Sequence, residues 1–227
     1  MKTVGILGGM GPEATVLLMQ KIIAGVKAED DRHHIPMIIH QNTQVPSRIK
    51  RLIEGNGDDP GPILKQMALD LQNMKCDFLA MPCNTAHYYH RNISECINIP
   101  LLDMIELSSQ KLFKLNLLKI GILASPAVKK IGVFDKSFKK FGLEGNFPTI
   151  DRNMLKIIQC VKKGQINNDI IDLFKCQVFE LVDLKCDGIL IACTELSLLR
   201  KYVPNSIPCL DSLDCLADNV IENAIKN

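Results

Sequence analysis

The chain has 227 residues, of which 47% are hydrophobic and 23% charged. At about 150 residues per domain this suggests one large domain or two small ones, with enough core to fold without metal or disulfide staples. Its 27 basic and 25 acidic residues leave a net charge of +2. That composition excludes a disordered chain and argues against a nucleic-acid binder, which carries a clustered basic excess.

Residues 3–7 predict a strand that runs into a glycine turn at 8–12, where Pro12 is suited to open a helix reaching about residue 27. This start lacks the length and cleavage pattern of a signal peptide. The longest apolar runs, such as 188–193, fall far short of the roughly 20 residues of a membrane span. The expectation is a soluble, cytoplasmic protein with no membrane partner. Residues 36–40 predict a second strand, 56–61 a loop of Gly, Asp and Pro, and a helix follows to about residue 74. A third strand, 77–81, ends at Pro82-Cys83-Asn84-Thr85; another helix and a short strand at 99–102 follow. Short apolar runs alternating with longer amphipathic ones predict an α/β fold with parallel sheet.

The second half repeats the first. Val4-Gly5-Ile6-Leu7 returns as Ile120-Gly121-Ile122-Leu123, Lys75-Cys76-Asp77 as Lys185-Cys186-Asp187, and Ile99-Pro100 as Ile207-Pro208. The offsets are 116, 110 and 108 residues. Generic βα patterning does not demand these identities, so they predict two similar α/β lobes that arose by internal duplication. The first lobe is expected over residues 1–102 plus 211–227, with the C-terminal helix packing back, and the second over 103–210.

Nine cysteines is a high and odd number, and no C-x-x-C pair occurs. A disulfide scaffold, a zinc ribbon and a thioredoxin motif are therefore unsupported, and no metal site is predicted. Cys83 and Cys193 differ from the rest in occupying equivalent places, each ending a buried strand and preceding a helix. Carboxyl ends of parallel strands face the binding crevice of an open sheet. A helix N-terminus offers free N–H groups and partial positive charge, which favour a thiolate. If the lobes face each other, the thiols converge from opposite sides, as a two-base proton transfer at a tetrahedral carbon requires. The alternative is a pair of buried structural cysteines. Asn84, Thr85 and Thr194 carry short polar side chains beside exposed N–H groups and suit a carboxylate, or simply cap helices. Glu195 adds a negative charge near the second thiol, where it orients a group, selects a substrate amine or offsets a helix dipole.

Gly9-Met10-Gly11-Pro12-Glu13-Ala14 fits G-x-G-x-x-A, the pattern of a dinucleotide loop. Such a site needs an acid at the end of the second strand, which here reads His40-Gln41-Asn42. A nicotinamide cofactor is not expected. His87 and His90 lie one turn apart after Cys83, where His87 either tunes the thiol or packs. The basic run 136–140 is interrupted by Ser137 and Phe138 and reads as a solvated helix face rather than a nucleic-acid patch.

Gly8-Gly9-Met10, the run from Met81-Pro82-Cys83-Asn84-Thr85 to Ala86-His87, and Cys193-Thr194-Glu195 together resemble the aspartate/glutamate racemase family, in order and over essentially the whole chain. The resemblance implies two pseudo-symmetric α/β lobes with the active site between them. It implies racemisation without pyridoxal phosphate or any other cofactor, with Cys83 and Cys193 as the catalytic acid/base pair, working in both directions. The implied substrate is a small acidic amino acid, aspartate or glutamate, and the implied assembly a homodimer. By the same resemblance Gly9 and Met10 lie against the substrate, and the segment from Gln41-Asn42 to Arg48 supplies contacts. Arg48 is the candidate for a substrate carboxylate and Asn42 a further contact. Lys162, which fits the spacing before Gly164 better than Lys163, is the candidate for the distal carboxylate. Related two-cysteine enzymes act on maleate- or malonate-type diacids or on hydantoins. These reactions, and a catalytically silent amino-acid-binding protein, are the alternatives.

Overall fold

The structure, a computed structural model, describes residues 1–226. It divides into two compact units, one of Met1–Met104 together with the chain from Leu213 on, the other Ile105–Ser212. Among the described residues no helix is long and apolar enough to cross a membrane.

In the first unit β1 (Val4–Gly8), fully buried, is followed by α1 (Pro12–Gly25), β2 (Met37–Gln41), α2 (Gly61–Asn73), β3 (Phe78–Ala80) and the short α3 (His90–Ser94). The strands pair in parallel in the order β2-β1-β3. A helix, α4 (Met104–Lys114), leads into the second unit. There β4 (Lys119–Ala124), α5 (Pro126–Lys130), α6 (Asp135–Phe141), β5 (Glu144–Asn146), α7 (Asp151–Lys162), α8 (Asn168–Asp183), β6 (Gly188–Ala192) and β7 (Cys209–Asp211) form a parallel sheet of order β5-β4-β6-β7. The last helix, α9 (Ser212–Ile225), belongs to the first unit: Lys2 donates its N–H to the Ala224 carbonyl at 3.0 Å, and Lys21 pairs with Asp214.

The repeat reappears as register. Val4 lies opposite Phe78 and Gly5 opposite Leu79; Ile120 lies opposite Gly188 and Gly121 opposite Ile189. The offsets of 116 and 110 carry one pairing onto the other. The repeated Lys-Cys-Asp has a structural cause. Lys75 and Lys185 take left-handed conformations, φ 66° and 59°, that stop α2 and α8. The N–H groups of Cys76 and Cys186 then close on the Leu71 and Leu181 carbonyls. Asp77 accepts the Thr3 N–H at 2.6 Å and Asp187 the Lys119 N–H at 2.7 Å, latching the end of each helix to the start of the central strand. Hydrogen bonds from the Lys119 and Leu118 amides hold the Asp187 carboxyl below the usual carboxylate range. Burial pushes the Cys76 and Cys186 thiols up, the direction of inert thiols.

The glycine repeated in the central strands is a matter of space. A Cβ on Gly5 would lie 2.5 Å from Leu79 Cδ2, and one on Gly121 2.9 Å from Leu181 Cβ and 2.8 Å from Ile189 Cδ1. Gly121→Ala should destabilise the second unit by about 1–3 kcal/mol through overpacking. Urea unfolding followed by circular dichroism measures it, and an unchanged midpoint would show that the helix yields.

Three expectations need correcting. The segment 99–102 is not a strand: it contributes a single bridge, Leu101 to Leu79, where its counterpart in the second unit is the strand β7. The segment after Cys83 is not one helix but a 3-10 turn, Thr85–Tyr89, followed by α3. The first helix ends at Gly25 rather than about residue 27. The basic run 136–140 lies in α6, which turns Ser137 and Phe138 inward.

Candidate active site

Each unit carries one group of the expected residues at the carboxyl ends of its strands. In the first unit the loop after β1 meets the chain leaving β2. Gly9 has φ +93°, and a Cβ there would stand 2.3 Å from the Asn42 carbonyl oxygen. Only glycine lets the two backbones approach so closely. The Gly9 N–H donates to Thr15 Oγ1 at 3.0 Å. Thr15, almost fully buried on α1, was not singled out from the sequence; its position inside the first turns of the helix after a glycine loop was the available signal. Asn42 uses its side-chain oxygen to accept the Gln44 N–H at 2.9 Å. Arg48 donates from Nη1 to the carbonyls of Val45, at 3.3 Å, and Pro46, at 2.9 Å, and from Nη2 to that of Met10, at 3.4 Å. Its fork thus braces the Met10 loop.

β3 delivers Cys83, 7% exposed, into the apolar cluster that includes Met10, Val45, Met81 and Ala86. Asn84 is buried and Thr85 half-buried in the turn that follows. Asn84 makes no side-chain cap to that turn. Its carbonyl accepts the His87 N–H at 3.1 Å. The His87 ring does not face the Cys83 thiol. Nδ1 lies 2.9 Å from the Cys83 carbonyl oxygen, and Nε2 lies 3.1 Å from the Met104 N. The amide must donate to Nε2, so the proton sits on Nδ1 and the ring is neutral. The ring of His90 stacks on it at 5.7 Å. Burial pushes the His87 pKa down, against the opposing pull of Asp103. The unfolded chain takes up a proton near pH 6.5 that the folded chain resists. His87 therefore favours folding fully above that pH, and this contribution is lost as pH falls below it. The urea midpoint should drop between pH 7 and 5, and His87→Gln should flatten that drop. Equal pH slopes for the two proteins would count against this assignment.

Nearby, burial and a hydrogen bond to Asp59 push the Tyr89 phenol up to about 12. The same carboxylate accepts the Gly61 N–H at 2.9 Å, tying the loop before α2 to the turn after Cys83.

In the second unit β6 delivers Cys193, 9% exposed, followed by a 3-10 helix, Thr194–Tyr202. Thr194 is buried. The Cys193 thiol donates to Glu195 Oε2 at 3.0 Å. The other oxygen, Oε1, lies 3.2 Å from Lys162 Nζ, at the last residue of α7. Of the two adjacent lysines, Lys162 is the one placed against this carboxylate. Lys163 lies beyond the helix end. Among the described residues no cluster of three or more His, Cys, Asp or Glu side chains is set to hold a metal ion.

Each α/β unit thus places a near-buried cysteine just past the carboxyl end of an equivalent parallel strand, with a threonine one or two residues on. Residues 7–220 match the family described as Asp/Glu/Hydantoin racemase, and the chain belongs to it. The chain is 26% identical over 223 residues to the broad specificity amino-acid racemase RacX of Bacillus subtilis, covering 96% of each. Its fold is similar to that of the Picrophilus torridus aspartate racemase, with a TM-score of 0.86 and 27% identity, covering 100% of this chain and 96% of that one. A glutamate racemase isoform of Bacillus anthracis shares the fold at a TM-score of 0.73 and 15% identity, covering 98% and 81%.

Proposed function

We propose that the protein is a cofactor-independent amino-acid racemase that interconverts L- and D-aspartate, glutamate or both. In this reading Cys83 and Cys193 are the two catalytic acid/base residues. The observation that carries it is the repeated placement of a near-buried cysteine just past the ends of β3 and of β6, in a chain of a racemase family. One thiolate takes the α-proton: the C–H bond breaks, an S–H bond forms, and the electron pair moves into the substrate carboxylate. The other thiol returns a proton to the opposite face, and its sulfur keeps the S–H pair. The intermediate is a dianionic enediolate, and general acid/base catalysis alone contributes only about 10²–10⁴-fold. Preorganised donors must supply much of the rest.

The backbone N–H groups at Asn84, Thr85 and Thr194 are the donors we assign to the substrate carboxylate. Gly9, Met10 and Asn42 shape the wall that Arg48 braces, and Lys162 is assigned to the distal carboxylate. The enzyme is proposed to act as a cytoplasmic homodimer. The test is α-proton exchange of L-aspartate and L-glutamate in D₂O, followed by NMR without added cofactor. Exchange with loss of optical purity is the expected result. Its absence for both would overturn the acidic-substrate assignment. The similarity to a broad specificity racemase makes neutral and basic amino acids the next substrates to run.

A further inference from the structure

The two thiols do not share one environment. The histidine beside Cys83 spends both ring nitrogens on backbone groups and stays neutral. The Cys193 thiol instead meets a carboxylate at 3.0 Å, whose far oxygen meets an ammonium at 3.2 Å. Glu195 is buried from most solvent, with its side chain 11% exposed, so water screens this pair weakly. The elements packed around Cys193 otherwise contribute apolar side chains to its cluster: Leu123 from β4, Ile158 and Val161 from α7, Phe174 and Val178 from α8. Glu195 from its own segment meets the thiol, and Lys162 from α7 lies behind that carboxylate. The anion is in contact and the cation lies on its far side, so the nearer charge dominates.

We propose that Glu195 is a positioning residue that holds Cys193 as the protonated thiol in the resting enzyme, with Lys162 as its counter-ion. Cys193 is then set to act first as the proton donor. Once it has given up that proton it is a thiolate against a carboxylate, and this repulsion drives it to recover one. This assignment takes its catalytic meaning from the two-thiol racemase reading, but the state of the thiol is measurable without turnover. Turnover itself is a poor reporter. The equilibrium between enantiomers has a constant of one, so kcat/KM in the two directions must agree whatever the resting state.

The experiment is alkylation of the whole protein by iodoacetamide across pH 6–10, with Cys83 and Cys193 followed separately by peptide mass spectrometry. Only thiolates react. Glu195→Gln keeps the shape and removes the charge. It should speed Cys193 alkylation at neutral pH by about tenfold, the equivalent of one unit in the pH profile, and leave Cys83 within about twofold. Lys162→Met, at a half-exposed helix end, leaves the fold intact and the carboxylate uncompensated. It should slow Cys193 several-fold. Unchanged or slower Cys193 alkylation in Glu195→Gln, or faster alkylation in Lys162→Met, would overturn the proposal. Equal acceleration of both cysteines would also overturn it, since that reports a general opening. A protein that shows these thiol profiles but no racemisation would sink the enzymatic reading and leave the thiol assignment standing.

Discussion

Cys83→Ala and Cys193→Ala should each lower racemisation by at least about 10³-fold while leaving the fold in place. In the proposed mechanism each variant loses one of the two groups that move the proton, and the remaining thiol cannot serve both faces of the carbon. The stability cost of removing one near-buried sulfur is small, about 1–2 kcal/mol, so a loss of activity cannot be blamed on unfolding. A finer signature separates two bases from one. A variant with a single thiol can still remove an α-proton and return a deuteron to the same face. Residual exchange in D₂O should therefore be confined to one enantiomer in Cys83→Ala and to the other in Cys193→Ala, in both cases without inversion. If either variant racemises at near wild-type rate, or if both exchange the same enantiomer, the two-thiol mechanism is wrong.

The second large effect is expected at Gly9. Gly9→Ala must place a Cβ 2.3 Å from the Asn42 carbonyl oxygen and 2.4 Å from its carbon, in a backbone conformation at φ +93°. The obstacle is backbone, which cannot rotate aside, and strain adds to overlap. The expected cost is about 2–4 kcal/mol in urea unfolding. The same substitution pries the Met10 loop from the chain leaving β2. If this loop lines the substrate as proposed, a displacement of about 1 Å costs on the order of 10² in kcat/KM. Wild-type stability in this variant would mean that the two loops are not packed as described.

The central strands were legible because burial on both faces writes them as short apolar runs: Val4-Gly5-Ile6-Leu7 and Ile120-Gly121-Ile122-Leu123 lie inside β1 and β4. The duplication was legible for a different reason. Lys-Cys-Asp is kept by a left-handed stop, a buried or half-buried thiol and a carboxylate latch, so its identity is dictated by local geometry. Edge elements left little trace. β5 reads Glu144-Gly145-Asn146, with no apolar member to announce a strand. The segment 99–102 carries the Ile-Pro of its counterpart but pairs only at Leu101, so sequence likeness overstated structural likeness.

Cys83, Cys193, Glu195 and Lys162 could be singled out in the sequence as candidates, but their connections could not. Nothing in a linear pattern says that Arg48 spends its fork on three carbonyls, or that His87 turns both nitrogens to the backbone. Those outcomes depend on which loop lies next to which, and long-range packing decides that. The choice between Lys162 and Lys163 is of the same kind. Both fit the end of a helix, and only the placement of α7 against the turn after β6 puts one ammonium within reach of the carboxylate.

The attachment of α9 to the start of the chain has a consequence for biosynthesis. The second unit is an uninterrupted stretch and can close as soon as its last strand leaves the ribosome. The first unit, although made earlier, cannot. Lys2 waits for Ala224, and Lys21 for Asp214. Until α9 emerges, the nascent chain holds a closed second unit beside a first unit that still lacks that helix. Loss of α9 would therefore do its damage far away in sequence, leaving the face of α1 around Gly25 without Ile221 to cover it.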